Sequence, residues 1–202
     1  TSVAVGHAAL AAQNFTTATD TFNTAVGYAA GNDVTTGTKN TLIGGLTGDA
    51  LTDGVENVAL GYNSLGADTR GSKSVAIGKE ALKVQNQTTS VSTYNVAVGF
   101  KAGVAVSTGV QNTFVGGQAG DGTDDGNNNT AVGYLALSAN CGNDNTAVGL
   151  FALGVCTGTN NTGLGKDAAA ALTSGSNNLF LGKDSGRTGS PGGNVTTQSN
   201  GI

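Results

Sequence analysis

Asn129-Thr130-Ala131-Val132-Gly133-Tyr134-Leu135-Ala136-Leu137 opens with a five-residue phrase that recurs throughout the chain: a polar residue, alternating small and aliphatic residues, then glycine. Eleven copies end at Gly6, Gly27, Gly44, Gly61, Gly78, Gly99, Gly116, Gly133, Gly149, Gly165 and Gly182. The steps between them are 21, 17, 17, 17, 21, 17, 17, 16, 16 and 17 residues. A near-constant period of this length is too short for helical repeats and predicts an all-β solenoid in which each copy is one coil. With strands about 4.8 Å apart, eleven coils make a slender rod roughly 50 Å long.

The columns of the repeat assign work to each position. The residue before the glycine is Val, Ile or Leu in every copy, and the residue two earlier is Val, Thr or Leu. On a period-2 strand these share one face, which is expected to be the coil interior. The position between them is mostly Ala, with Leu42, Phe114, Gly163 and Phe180 as exceptions, so the opposite face is small and apolar rather than charged. Glycine suits a bend or a close backbone approach. Three residues on comes a small residue, such as Ala30, Ser64 or Ala119, usually followed by Leu or Gly, which reads as a short second strand and a turn. The opening residue is Asn in nine copies and Ser in two, Ser2 and Ser74. It suits a corner where amides stack and hydrogen-bond along the axis.

A longer repeat lies over the first. A shift of 72 residues superposes Gln13-Asn14 on Gln85-Asn86, Gly44-Gly45 on Gly116-Gly117, Asp53-Gly54 on Asp125-Gly126 and Tyr62 on Tyr134. The two 21-residue periods carry Thr-rich insertions at 11–22 and 83–94. These are expected to protrude from the same side of the rod, where partner contacts usually lie.

Asn-Thr-Ala-Val-Gly-Tyr followed by Ala-Leu, at Asn129 to Leu137 and more loosely from Asn23 and Asn57, resembles the repeats of phage tail-fibre shaft proteins. Ser74-Val75-Ala76-Ile77-Gly78 resembles the head repeats of trimeric autotransporter adhesins, although most periods here are 17 residues, longer than in those heads. The likeness covers residues 1–186. It implies a left-handed parallel β-roll and three chains associated along the axis, with the Val and Ile columns inside each roll and the small column toward the partners. The elements such families place elsewhere, a membrane anchor, a coiled-coil stalk or a self-cleaving chaperone domain, are not in this sequence.

Composition fits a rod. Charged residues make up 11% and aromatic residues 5% of the chain, with 34 glycines and a net charge of −4. That leaves no basic surface for nucleic acid. A solenoid needs only a thin aliphatic seam per coil. The expected organisation is one repeat domain over 1–186 and an irregular tail or linker over 187–202. No run of eighteen apolar residues exists to insert in a membrane. The chain begins at Thr1 without a signal peptide, as expected of a mature or trimmed product.

Enzyme chemistry lacks ingredients, and no catalytic, cofactor-binding or metal-ligating residue is assigned. His7 follows a motif glycine and reads as a surface residue of the first coil. Lys79, Lys166 and Lys183 share its column and suit solubility or carboxylate pairing. The Gly-Lys-Asp strings at Gly165 and Gly182 lack the spacing and terminal hydroxyl of a phosphate loop. Cys141 and Cys156 occupy successive loops, within reach of a disulfide or as two free thiols. The Asp/Gly loops at Asp49–Asp53 and Asp121–Asp125 read either as polar turns or as calcium loops. Asn14-Phe15-Thr16 and Asn86-Gln87-Thr88 match a glycosylation sequon. An ice-binding surface needs a regular Thr-x-Thr column, whereas these threonines are expected inside the core or in irregular loops. The reading is a non-enzymatic fibre protein, the shaft or host-attachment part of a phage tail fibre or adhesin-like appendage. It is expected to be a homotrimer outside the cell that meets a surface glycan or protein receptor. The alternative is a subunit of a self-assembling extracellular filament, the tail from Arg187 completing a neighbour by strand addition.

Overall fold

The computed structural model describes residues 1–187, and the tail beyond them lies outside the described residues. Each phrase forms one three-residue strand. In chain order the strands are β1 (Val3–Val5), β2 (Thr24–Val26), β3 (Thr41–Ile43), β4 (Val58–Leu60), β5 (Gly71–Ser72), β6 (Val75–Ile77), β7 (Val91–Ser92), β8 (Val96–Val98), β9 (Thr113–Val115), β10 (Thr130–Val132), β11 (Thr146–Val148), β12 (Thr162–Leu164) and β13 (Leu179–Leu181). Eleven of them form one parallel sheet in chain order, leaving β5 and β7 as a separate parallel pair. The register matches column to column: Thr130 pairs with Thr146, Ala131 with Ala147 and Val132 with Val148. The chain is therefore a parallel β-solenoid of about eleven turns.

The interior is the reverse of the sequence expectation. Ala25, Ala59, Ala76, Ala97, Ala131 and Ala147, the middle residues of their strands, are all 0% exposed, whereas Val5 is 57% and Leu60 46% exposed. The reason is the width of the coil. Across from each strand runs the following turn of the same chain, whose Ala and Leu residues fill the gap, so the space accepts a methyl from the strand and not two columns of branched side chains. The small column consequently does not face partner chains.

The second strand is also absent. The residues after each glycine form a turn, and its second and fourth positions lie in the left-handed region, as at Ala29 (φ 52°) and Leu82 (φ 48°). Leucine there is uncommon. Axial hydrogen bonds hold it: Ala29 N–H donates to His7 O of the preceding coil at 2.8 Å, and Leu82 N–H to Ala102 O of the following coil at 3.1 Å. Alternating the peptides up and down gives the turn its own ladder without strand geometry.

That fourth position explains the alternation of Leu and Gly. Leucine occurs there where the strands of its own coil and of the next carry alanine or glycine, and mostly glycine where either of those strands carries a large residue. A Cβ on Gly31 would lie 2.7 Å, and one on Gly48 2.9 Å, from the Leu42 side chain. Gly103 and Gly120 flank Phe114 in the same way, at 2.9 and 2.6 Å. In the reverse sense, Gly163 in β12 leaves room for Leu153, 3.0 Å from where its Cβ would be. Total volume is conserved by exchange between the two positions.

The Asn column is the axial amide ladder expected. Asn112 Oδ1 accepts from Asn129 N–H at 2.9 Å, and Asn112 Nδ2 donates to Gly126 O at 2.8 Å. The same two bonds recur at Asn23, Asn40, Asn57, Asn95 and Asn161. Each pair contributes about 2 kcal/mol at roughly 1 kcal/mol per bond. Where the column holds Ser74, glutamine replaces the amide. Gln85 Nε2 donates to Ser74 Oγ at 2.9 Å and to the buried Asp68 Oδ2 at 2.6 Å, while its Oε1 accepts from Asn95 Nδ2 at 2.8 Å. Thr93 Oγ1 meets Ser74 Oγ at 2.5 Å. Ser2, Gln13 and Thr21 repeat that arrangement at the first coil. The insertions thus supply the side chains that a serine coil lacks, and their tips, 16–20 and 88–90, are exposed.

Candidate interaction surface

With the methyl column inside, period-2 alternation sends four columns outward. Two are the strand positions, one Val, Thr or Leu and the other Val, Ile or Leu. A third is the residue before the opening Asn, represented by Phe22, Glu56, Lys73 and Tyr94, and the fourth is the residue after the motif glycine, represented by Tyr28, Tyr62, Phe100 and Tyr134. The last set is well exposed, Tyr28 at 61%. The result is a ribbon along all eleven main-sheet strands with one continuous column of Val, Ile and Leu beside one of Val, Thr and Leu, between a start margin and an end margin of aromatic, charged and polar residues.

The motif glycines let this ribbon stay flat. Gly27 has φ 142°, and a Cβ there would stand 2.3 Å from the carbonyl oxygen of Gly44 in the next coil. Close backbone approach, one of the two expected reasons for glycine, applies together with a positive φ.

Contacts on the margins run vertically, one coil apart. His7 is exposed in the first coil and stacks on Tyr28, ring centroids 5.5 Å apart. Lys39 Nζ lies 3.1 Å from Glu56 Oε1. Lys73 Nζ donates to Tyr94 Oη at 3.2 Å, which holds the phenol below its ordinary range. Lys79, Lys166 and Lys183 each sit beside the carboxylate of the next residue, at 3.8, 3.9 and 3.5 Å, consistent with carboxylate pairing.

The other residues singled out by sequence do not gather into a site. No group of three or more His, Cys, Asp or Glu among the described residues is placed to hold a metal ion. In the Asp/Gly loops, burial and the charge of Asp33 raise Asp49, and Asp53 faces Arg70 at 3.9 Å. The phrase threonines are not in the core: they stand in an outward column, alternating irregularly with valine. That corrects the ground on which an ice-binding array was set aside. The projecting aromatic margins and the broken threonine column still deny ice a flat matching lattice.

Cys141 and Cys156 are free and buried, 1% and 0% exposed. They occupy the interior column that elsewhere holds Val34, Leu51, Val106 and Leu172, so they serve as small core residues. Burial pushes the Cys141 thiol up to about 11 and raises Cys156 in the same direction. Thiol reagent at pH 8 is expected to leave both unmodified in the folded protein and to label both after denaturation. Because the unfolded thiol ionises first, stability is unaffected below the ordinary value of 9.0 and falls as pH rises from there to about 11. Rapid labelling of the folded chain would contradict this placement.

Comparison with protein-family models, curated proteins and solved structures returned no match. The ribbon and its margins therefore carry the functional reading on their own chemistry. Among the described residues no helix is long and apolar enough to cross a membrane.

Proposed function

We propose that the protein is a non-enzymatic fibre component, the shaft or host-attachment part of a phage tail fibre or adhesin-like surface appendage, assembled as a homotrimer outside the cell. The observation that carries this reading is the unbroken outward column of Val, Ile and Leu before the motif glycines, flanked by an outward column of Val, Thr and Leu. Four columns span about 20 Å across seven residues and about 48 Å along eleven strands, an area on the order of 900 Å². A stable interface commits roughly 800 Å² per partner. An apolar column that runs the length of such a surface, rimmed by polar and aromatic margins, marks an association site. Three such ribbons facing a common axis bury one another, and the insertion tips at 16–20 and 88–90 are exposed residues outside the ribbon columns. Three copies of each tip at one level multiply a weak contact with a surface glycan or protein through avidity.

The resemblance of the repeats to tail-fibre shafts supports the same reading, with one change in how chains meet: the branched columns face the partners and the alanines fill the coil. Light scattering with size-exclusion chromatography over a hundredfold dilution is expected to give a constant mass three times 19.6 kDa. Ile77→Glu together with Val98→Glu, both outward, is expected to yield monomers with unchanged β-sheet circular dichroism. A wild-type monomer would overturn the trimer. Polymers that grow with concentration would favour the self-assembling filament subunit instead.

A further inference from the structure

We infer that the copies pack with a stagger of one coil, the end margin of each chain lying against the start margin of its neighbour one coil earlier. This rests on the trimer reading and specifies its geometry. In a closed ring of parallel copies each contact is heterologous, so the end margin of one ribbon necessarily meets the start margin of the next. Which coil meets which is then a question of chemistry along two columns.

Only three alignments need weighing: same coil, one coil earlier and one coil later. Same-coil packing sets Lys79 against Lys73 and Leu150 against Asp144, a like-charge contact and an apolar residue on a carboxylate. Packing against the later coil pairs none of the three end-margin lysines with an acid: Lys79 meets Tyr94, Lys166 meets Asn177, and Lys183, in the last coil, meets no later one. Packing against the earlier coil sets Lys79 opposite Glu56 and Lys166 opposite Asp144, with Lys183 opposite the amide of Asn160. These two matches are not related by the 72-residue duplication, so they arise independently. Phe100 then meets Lys73, a cation over an aromatic ring.

Shape agrees with charge. In the same alignment the two glycines of the end margin, Gly45 and Gly117, receive the two exposed aromatics of the start margin, Phe22 and Tyr94. A bulky ring thus faces the positions without a side chain. Each strand has to climb about 4.8 Å over its roughly 20 Å width, a modest inclination for a parallel sheet. Lys79 and Glu56 are accessible for the contact, their side chains 54% and 42% exposed.

Paired cysteines test the stagger. Within one chain Glu56 and Lys79 lie on opposite margins, too far apart for a disulfide, which requires Cα atoms within about 7 Å. Oxidation of a Glu56→Cys/Lys79→Cys variant is expected to give covalent trimers on a non-reducing gel, at least tenfold more than Lys73→Cys/Lys79→Cys or Lys79→Cys/Tyr94→Cys, which report the same-coil and later-coil alignments. The mass of each variant is measured under reducing conditions alongside. Trimers that cross-link through either control pair, or through none of the three, overturn the stagger and leave the trimer standing. Monomers in every variant and in the wild type overturn both.

Discussion

Gly99→Ala is expected to lower stability by about 3–5 kcal/mol, a large loss for the addition of one methyl group. Gly99 has φ 143°, and its new Cβ would stand 2.3 Å from Gly116 O and 2.6 Å from Gly116 C. Those are backbone atoms, tied in place because Gly116 N–H donates to Val98 O at 2.8 Å. Neither chain can give way without opening the main sheet. Left-handed strain of about 1–3 kcal/mol and overpacking of about 1–3 kcal/mol therefore add. Thermal unfolding is expected to shift down by about 10–15 °C, at roughly 2–4 °C per kcal/mol for a chain of this size. Hydrogen exchange should show the loss of protection centred on β8 and β9. Gly182→Ala is the control, since a Cβ there meets nothing within 4 Å. Equal losses at both positions would mean that close approach is not the reason for glycine.

The second large effect is a loss that a second substitution repairs. Phe114→Ala removes a fully buried ring from β9 and is expected to cost about 3–5 kcal/mol. Gly120→Leu alone is expected to cost about 2–3 kcal/mol, because its side chain would enter the space of that ring. Combined, they recreate the arrangement that Ala131 and Leu137 already make one coil further on, with Leu137 at φ 51°. The double variant is expected to be more stable than Phe114→Ala by at least 1 kcal/mol in chemical denaturation. Simple addition of the two losses would show that the positions do not share one volume.

What could be read from the chain before any coordinates follows from what a period measures. The solenoid, its eleven turns, the Asn ladder and the crowding at the motif glycines all depend on identical residues recurring at identical places. Which strand face is inside does not. Both faces are apolar, so alternation offers no choice between Ala25 and Val26, and coil width decides it. A signal was present: glycine replaces leucine at Gly31, Gly48, Gly103 and Gly120 only around Leu42 and Phe114, which marks those two residues as interior. The turn after each glycine was misread as a strand because leucine at Leu10, Leu65 or Leu82 argues against left-handed backbone, and axial hydrogen bonds override that preference. The lysine column of Lys79, Lys166 and Lys183 was legible from the period, but that Glu56 and Asp144 stand on the opposite margin of the same outward face was not, because it depends on which strand face is inside.

A stack of near-identical coils carries a hazard of mistaken identity while it forms. Any phrase strand could zip against the wrong neighbour, seventeen residues out of place, with almost the same hydrogen bonds. Asp68, Ser74, Gln85 and Thr93 prevent this at the middle of the rod. Gln85 reaches Asp68 and Ser74 together only when their coils are adjacent and in order, and an Asn coil slipped into that place would leave the buried Asp68 carboxylate short of a donor. These four residues act as an index mark on a ruler whose other graduations look alike, so correct counting is secured locally, before the outer coils have stacked.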